Sequence, residues 1–305
     1  MSKLLRTHPL DLHDIRSIIA NSLDLEDIAS CVRVSQDWND SFTPPLYNSV
    51  TVSKNGRTIE SVKRNKRFVR SLSIQRSAYE NLPSTLSPAK VISNVMANSN
   101  LVALDLYCNS TGPNGAQALS EALKTNSTLT TLNLLGNSIG PDGAQALSEA
   151  LKTNWTLTTL NLQSNSIGPN GAEMLSEALK INSTLTTLDL KDNSIGDNGA
   201  LALYEALKTN STLTTLNLEY NAIRDYESQA LCEALKTNST LTTLGLSHNE
   251  ITDNGAQALA EALKTNSTLT TLNLFNNWIG DNGAQALSEA LKTNSTVTIP
   301  GYRRK

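Results

Sequence analysis

The sequence predicts an α/β solenoid, a horseshoe with a parallel inner sheet and outer helices, and three observations support this fold class. A unit of 28 residues recurs seven times between Leu101 and Thr296. Each unit joins a short alternating apolar segment to an amphipathic helical segment. Self-similarity at a fixed period is typical of solenoids, whose units bury their apolar faces only against their neighbours. Because strands stack about 4.8 Å apart and packed helices need roughly 8–10 Å, the helix side must form the longer arc.

The seven copies are numbered here in chain order. They begin at Leu101, Leu129, Leu157, Leu185, Leu213, Leu241 and Leu269. In copy two, Leu132 and Leu134 fall on one face of an extended segment, whereas Thr131 and Asn133 fall on the other. This period of two predicts a short strand.

A helix is predicted in the second half of each copy, after a turn marked by Gly and Pro. In copy two, Ala144, Leu147, Ala150 and Leu151 share one helical stripe. Asn154 follows, and Asn recurs at this position in every copy. We expect it to close the helix through a left-handed backbone conformation.

These residues resemble a known family. The pattern LxxLxLxxNxI followed by ALxxAL resembles the leucine-rich repeat, and the 28-residue length is similar to the ribonuclease-inhibitor-like subclass. The resemblance covers Leu101 to Thr296. It implies a horseshoe whose concave sheet binds proteins.

The first fifty residues do not follow the repeat and predict a small all-helical module. Three of its segments, PLDLHDIRSII, LDLEDIASCVRVSQDW and PPLYNSV, resemble an F-box. That resemblance implies docking of a Skp-type adaptor and a cullin. The residues implied in docking are Pro9, Leu10, Ile15, Leu46 and Tyr47. The alternative is a plain helical cap that seals the first apolar face of the solenoid.

Residues 51–100 predict one or more degenerate leading repeats. VRSLSI, from Val69 to Ile74, imitates the strand motif, and the segment from Pro88 to Ser99 imitates the helix. The strand SVTV, Ser49 to Val52, is expected to begin the sheet. At the other end, residues 297–305 form a truncated eighth repeat, interrupted by Pro300, and a basic tail.

Charge and composition limit the partners. Residues 1–100 carry 13 Lys and Arg against 9 Asp and Glu, whereas residues 101–305 carry 12 against 19. An acidic solenoid argues against nucleic acid, because phosphate binding depends on Lys and Arg. Neither a signal peptide nor a membrane span is visible. We therefore expect a cytoplasmic protein, with nuclear entry through the basic run Lys63 to Arg67 as the alternative.

The sequence offers no catalytic motif, so we expect no enzymatic activity, no cofactor and no metal. The three histidines do not form HExxH or another paired ligand spacing. GxxxxGK is absent, and the recurring GPDG and GDNG turns lack the order of a phosphate-binding loop. One alternative comes from resemblance to Ran GTPase-activating proteins, which share this repeat subclass. Arg224 or Arg76 would then act on a GTPase phosphate site.

Variation between the copies is concentrated just after the strand. The last buried Leu of each strand is followed by a pair that differs in every copy. The pairs are Tyr107-Cys108, Leu135-Gly136, Gln163-Ser164, Lys191-Asp192, Glu219-Tyr220, Ser247-His248 and Phe275-Asn276. The equally exposed Glu149 and Lys152 positions are the same in all seven. We predict that a protein partner binds on the concave face. The predicted contact residues are Tyr107, Leu135, Gln163, Lys191, Glu219, Tyr220, Ser247, His248 and Phe275.

Together these features predict a non-enzymatic interaction protein. The leading hypothesis is an F-box-type substrate-recognition subunit of a cullin ubiquitin ligase. The alternatives are a free-standing sensor or scaffold similar to the repeat regions of NLR receptors and, third, the GTPase activator.

Overall fold

The computed structural model describes residues 49–52, 69–75, 93, 95–97, 100–226 and 228–300. The proposed adaptor-docking residues Pro9, Leu10, Ile15, Leu46 and Tyr47 lie outside the described residues. The same holds for Arg76 and for the basic run Lys63 to Arg67.

One sheet of nine parallel strands runs through the described part of the chain, with the strands in chain order. The strands are β1 Ser49–Val52, β2 Ser71–Ile74, β3 Ala103–Asp105, β4 Thr131–Asn133, β5 Thr159–Asn161, β6 Thr187–Asp189, β7 Thr215–Asn217, β8 Thr243–Gly245 and β9 Thr271–Asn273. The strands expected at Ser49 to Val52 and within Val69 to Ile74 are both present. The predicted parallel sheet is confirmed.

Seven helices alternate with these strands from β3 onward in the described residues. They are α1 Gly112–Leu123, α2 Gly140–Leu151, α3 Gly168–Leu179, α4 Gly196–Leu207, α5 Ser228–Thr237, α6 Asp253–Leu263 and α7 Asp281–Thr293. Neighbouring helices pack against each other in the same order. The predicted α/β solenoid is therefore confirmed.

The repeat period sets the sheet register, since residues 28 apart pair across each strand boundary from β3 to β9. Leu132 pairs with Leu104 on one side and with Leu160 on the other. These leucines are at most 1% exposed. Complete burial of a Leu side chain contributes about 1.5–3 kcal/mol. The core is a stack of nearly identical apolar layers.

A column of buried asparagines joins the copies where each strand ends. The Asn165 amide nitrogen donates to the carbonyls of Leu134 (2.8 Å) and Leu162 (2.9 Å). Its side-chain oxygen accepts the backbone N–H of Asn137 at 3.0 Å. Buried backbone groups that no strand partner satisfies are thus bound by a side chain. Each asparagine ties its copy to the one before.

A second column of asparagines follows the helices, and here the predicted left-handed closure was wrong. Lys152 at the helix end is right-handed, with φ −63°, and Asn154 is not among the residues with positive φ. The Asn154 amide instead donates to the Leu123 carbonyl at 2.8 Å. Its oxygen accepts the backbone N–H groups of Thr156 (3.1 Å) and Leu157 (2.8 Å). Asn recurs because its side chain bonds the backbone at both ends of this turn.

The turn between strand and helix has two forms. In copies one to four a left-handed glycine opens the helix, as at Gly140 with φ +65°. Its N–H donates to the Asn165 carbonyl of the next copy at 2.9 Å. Glycine reaches this conformation without the steric cost that other residues meet.

In copies five to seven an aspartate of the preceding copy binds the turn. Asp197 Oδ1 accepts the backbone N–H of Arg224 at 2.7 Å. Asp253 Oδ1 likewise accepts the N–H of Gly280 at 2.8 Å. Helix α5 begins at Ser228, four residues beyond Arg224, which stands where copies one to four have the opening glycine. The copy-five turn is therefore longer than the glycine turns.

The last described residues form a short eighth strand segment beside an open groove. Thr298 forms a parallel bridge with Thr271, and Val297 and Ile299 are buried. No helix follows among the described residues, so a groove remains beside α7. Its lining is Leu274, Phe275, Asn276, Asn277, Ile279, Ala284, Leu287, Ile299 and Pro300. None of the described helices has the length and apolar content that a membrane span requires.

Candidate functional site

The open face of the sheet, called the sheet face below, consists of three columns of residues at the positions of Thr131, Asn133 and Leu135. The first column is Thr in six copies and Ala103 in copy one. The second is Asn or Asp except at Gly245, and the third differs in every copy. Information that could distinguish one partner from another therefore lies in the third column.

The residue after the third column has a left-handed backbone in every copy. Its φ ranges from +52° at Cys108 to +69° at Gly136. Tyr220 and His248 adopt the same conformation at +56° and +54°. Holding a bulky residue there costs about 1–3 kcal/mol, and such strain is often found at functional sites. The surrounding copies must impose this conformation.

Three aromatic rings from consecutive copies form one group, called the aromatic cluster below: Tyr220, His248 and Phe275. The rings of Tyr220 and His248 stack at 4.0 Å between centroids and 10° between planes. The Phe275 ring meets His248 edge-on, with centroids 5.6 Å apart. The side-chain amide of Asn276 lies 2.8 Å from Nδ1 of His248. Tyr220 is 44% exposed and Phe275 60% exposed, so the cluster is accessible to a partner.

A charged pair borders the aromatic cluster. Lys191 Nζ lies 3.1 Å from Glu219 Oε2 and 5.1 Å from the centroid of the Tyr220 ring. The second Glu219 oxygen accepts a hydrogen bond from Asn273 Nδ2 at 2.6 Å. Glu219 thereby connects copies four, five and seven. This network fixes the side chains around the Tyr220 ring.

Glu219 reaches Asn273 across Gly245, the position where the second column has no side chain. A Cβ at residue 245 would lie 2.7 Å from Asn217 Oδ1 and 3.2 Å from Glu219 Cγ. A larger residue would displace both side chains. The sequence shows Gly245 as the single departure from Asn and Asp in this column, and this is the signal in the sequence that points to the contact.

The pKa values of two carboxyl groups in this region are shifted in opposite directions. Burial acts to raise the pKa of Glu219, whereas hydrogen bonds from Ser247 and Lys191 act to lower it, and the lowering prevails. For Asp189, burial raises the pKa above its usual range, and the hydrogen bond from the Lys191 N–H (2.9 Å) opposes this only in part. Glu219 is thus stabilised as an anion by its surroundings, and Asp189 is not.

The structure gathers five of the nine predicted contact residues: Lys191, Glu219, Tyr220, His248 and Phe275. Tyr107, 55% exposed, stands apart in copy one, and Leu135 and Gln163 lie half-buried in copies two and three. Ser247 is only 2% exposed and hydrogen-bonds to Glu219. Sequence reasoning missed Trp278, which is 66% exposed in copy seven beyond Phe275.

Arg224, the candidate for GTPase activation, is engaged within the chain. Its Nε and terminal nitrogen each lie 3.0 Å from Asp197 Oδ2. The described residues hold no group of three or more His, Cys, Asp or Glu that could bind a metal ion.

Comparisons with known proteins agree with this fold. Six segments match the family model described as Leucine Rich repeat: residues 125–148, 153–176, 182–203, 209–225, 237–260 and 265–288. The part of the chain from residue 125 to residue 288 therefore consists of leucine-rich repeats. No curated protein matches it.

Two solved structures resemble part of the chain. Leiomodin-1 Actin-Binding Site 2 is 25% identical, with a TM-score of 0.36 over 53% of this chain and 78% of that one. The tropomodulin C-terminal domain of Caenorhabditis elegans is 18% identical, with a TM-score of 0.41 over 50% of this chain and 92% of that one.

Proposed function

We propose that this protein is a non-catalytic interaction module that binds a protein partner on the sheet face of copies four to seven. The observation that carries the proposal is the aromatic cluster. Three copies that share their core leucines differ in the third column and the residue after it, and they bring Tyr220, His248 and Phe275 into contact. Exposed aromatic groups of this kind are typical anchors of protein interfaces.

Exposure alone does not explain why the third column varies. On the helices, Glu149 and Lys152, whose side chains are 53% and 30% exposed, form an ion pair at 2.6 Å, and the same pair recurs in α1, α3, α4, α6 and α7. One exposed surface was therefore kept while another was diversified. A binding surface selected for one partner accounts for this difference.

The test is capture of the natural partner from a lysate by the full-length chain, followed by affinity measurement with variants. Tyr220→Ala and Phe275→Ala should each weaken binding about 30-fold, since anchors contribute about 2 kcal/mol. Lys152→Ala and Lys264→Ala, on the helices, serve as matched controls and should change little. Equal losses from both sets would contradict the proposal.

The finer part of the proposal is that the N-terminal module docks a Skp-type adaptor and thereby a cullin, so that the captured protein becomes a ubiquitin-ligase substrate. Support comes from the F-box resemblance of residues 1–50. Alanine at Leu10 and Tyr47 in the full chain should abolish adaptor capture and leave partner binding on the sheet face intact. If the unaltered chain captures no adaptor, the free-standing NLR-like sensor or scaffold takes its place.

The GTPase-activator alternative finds less support, because Arg224 is held by Asp197. A stimulated GTPase would need that guanidinium at its phosphate site. We propose no catalytic residue, cofactor, nucleic-acid partner or membrane partner, and we propose a cytoplasmic location with nuclear entry as the alternative.

A further inference from the structure

A cation already occupies the aromatic cluster in the free chain. Lys191 Nζ lies 5.1 Å from the centroid of the Tyr220 ring, within the range of about 6 Å in which ammonium groups are attracted to an aromatic face. The same nitrogen lies 3.1 Å from Glu219 Oε2. Tyr220 and Glu219 therefore present an aromatic face and a carboxylate to one positive charge.

The Tyr220–Glu219 arrangement is fixed independently of Lys191. His248 stacks on the Tyr220 ring at 4.0 Å, and Asn273 holds the other Glu219 oxygen at 2.6 Å. Removing Lys191 would leave both partners in place. A preformed site of this kind loses little entropy when a new group enters it.

The charge around the site favours a second cation over an anion. Lys191 has three carboxylates as neighbours on the adjoining columns of copies four and five: Asp189, Asp192 and Glu219. Asp192 is exposed and accepts a hydrogen bond from Ser164 Oγ at 2.8 Å. The net charge of these four groups is −2 when all are ionised. An acidic partner would meet repulsion here, whereas a basic side chain would be attracted.

We propose that Tyr220 and Glu219 form a binding site for a basic side chain of the partner protein, and that Lys191 occupies this site until the partner replaces it. Arginine fits best, because its planar guanidinium stacks on aromatic faces, pairs with carboxylates and is weakly hydrated. Lys191 is long and flexible, so it can move to Asp192 or to water at small cost. The inference rests on the proposed sheet-face function and names the chemistry of its partner.

The direction in which one substitution changes the binding affinity tests the inference. Lys191→Met removes the competing ammonium, so the full-length chain should bind a cationic ligand more tightly. The probe is a labelled peptide of alternating Gly and Arg, ten residues long, measured by fluorescence anisotropy. Lys191→Met should tighten its binding about 3- to 10-fold, and Lys191→Gln should act in the same direction. Added salt should weaken binding in each case.

A double substitution separates this site from general attraction to an acidic protein. Tyr220→Leu should weaken peptide binding several-fold, and in the Lys191→Met background it should remove the whole gain. The control Lys152→Met removes a lysine of equal charge from α2, and any change it causes measures the general effect. A peptide with citrulline in place of Arg keeps the shape without the charge and should not bind.

The cation site would be overturned by weaker or unchanged binding of the Arg peptide to Lys191→Met, by a gain that survives Tyr220→Leu, or by equal binding of the citrulline peptide. Absence of any Arg-peptide binding by both the wild type and Lys191→Met would also reject it. The proposed function is tested separately with the natural partner. If Phe275→Ala weakens that partner while Lys191→Met weakens it as well, the sheet-face surface stands and the cation site fails.

Discussion

Copies one to four and copies five to seven share a core but differ in how they pass from strand to helix. The first four use a left-handed glycine that bonds backbone to backbone, as at Gly140. The last three rely on the side chains of Asp197, Asp225 and Asp253. The aromatic cluster lies in the second region. The aspartate-supported turns and the aromatic cluster therefore lie in the same three copies.

The comparison shows which parts of a repeat can change. A left-handed glycine turn leaves little freedom, because residues with a Cβ are strained there. An aspartate that accepts the turn N–H releases this restriction, and Arg224 and Thr252 replace the glycine in copies five and six. Arg224 in turn pairs with Asp197. Once an aspartate of one copy accepts the turn N–H of the next copy, the turn residues of neighbouring copies can change together.

The largest expected effect is on the free energy of unfolding, and it compares asparagines of the same column in the two regions. Asn165→Ala should cost about 4 kcal/mol, because a residue with 0% exposure leaves several buried backbone groups without partners. Asn277→Ala, at the half-buried end of the column, should cost about half as much, since water can replace its bonds. Urea unfolding monitored by circular dichroism gives both values. Equal losses of unfolding free energy would show that Asn277 is as well shielded from water as Asn165.

The next effect concerns the aspartate turns. Asp253 Oδ1 accepts the backbone N–H groups of Gly280 and Gly283, both at 2.8 Å. Asp253→Ala should therefore destabilise copy seven by about 2 kcal/mol, the range for hydrogen bonds to a charged group. Asp142→Ala is the control, because that exposed carboxylate opens α2 in a glycine-turn copy. A loss at Asp142 equal to that at Asp253 would remove the distinction between the two turns.

Much of the fold can be predicted from the sequence because one pattern recurs seven times. Alternation around Leu132 predicts the strand, and the stripe through Leu147 predicts the helix. Asn154 was misjudged because asparagine serves helix ends in two ways, through its backbone and through its side chain. Only the dihedral angle and the bond from its amide to Leu123 distinguish them.

The candidate site was predictable only in part. Variation between copies identified the third column, since core positions are constant. The contact between Glu219 and Asn273 joins residues 54 apart and depends on the missing side chain at Gly245. Likewise, the stacking of Tyr220 on His248 requires the left-handed backbone that the sequence does not reveal. Contacts between copies set the site, whereas the period alone sets the fold.

A third prediction concerns the end of the second region. Interior copies bury their helix against a following helix, whereas α7 has none among the described residues and Ile279 is half-buried. Hydrogen exchange should therefore be faster in residues 269–296 than in residues 157–184, by roughly tenfold or more. The alternative is association through this end, which would protect it. Equal protection in a demonstrated monomer would contradict the prediction.

The smallest effect tests the second column at copy four, where Asp189 replaces the asparagine of most other copies. Burial raises the pKa of Asp189, so its ionisation in the folded state is unfavourable, and this cost is present at neutral pH and disappears as the pH falls below its ordinary value of 3.8. Asp189→Asn should stabilise the protein by a few tenths of a kcal/mol at pH 7 after allowance for partial exposure. The hydrogen bond from the Lys191 N–H should be kept in the variant, because Asn161 Oδ1 accepts the equivalent bond from the Gln163 N–H at 2.9 Å.

Glu219→Gln, on the same surface, should change the stability at pH 7 in the opposite direction. The pKa of Glu219 is lowered, so its carboxylate contributes stability that is present above its ordinary value of 4.5 and is lost as the pH falls through the folded-state pKa. The urea midpoint of each variant should therefore be compared with that of the wild type at pH 7 and at pH 3. Asp189→Asn should exceed the wild type only at pH 7, whereas Glu219→Gln should fall below it only at pH 7. Matching shifts in the same direction would mean that burial, and not the Lys191 and Asn273 contacts, controls both carboxyl groups.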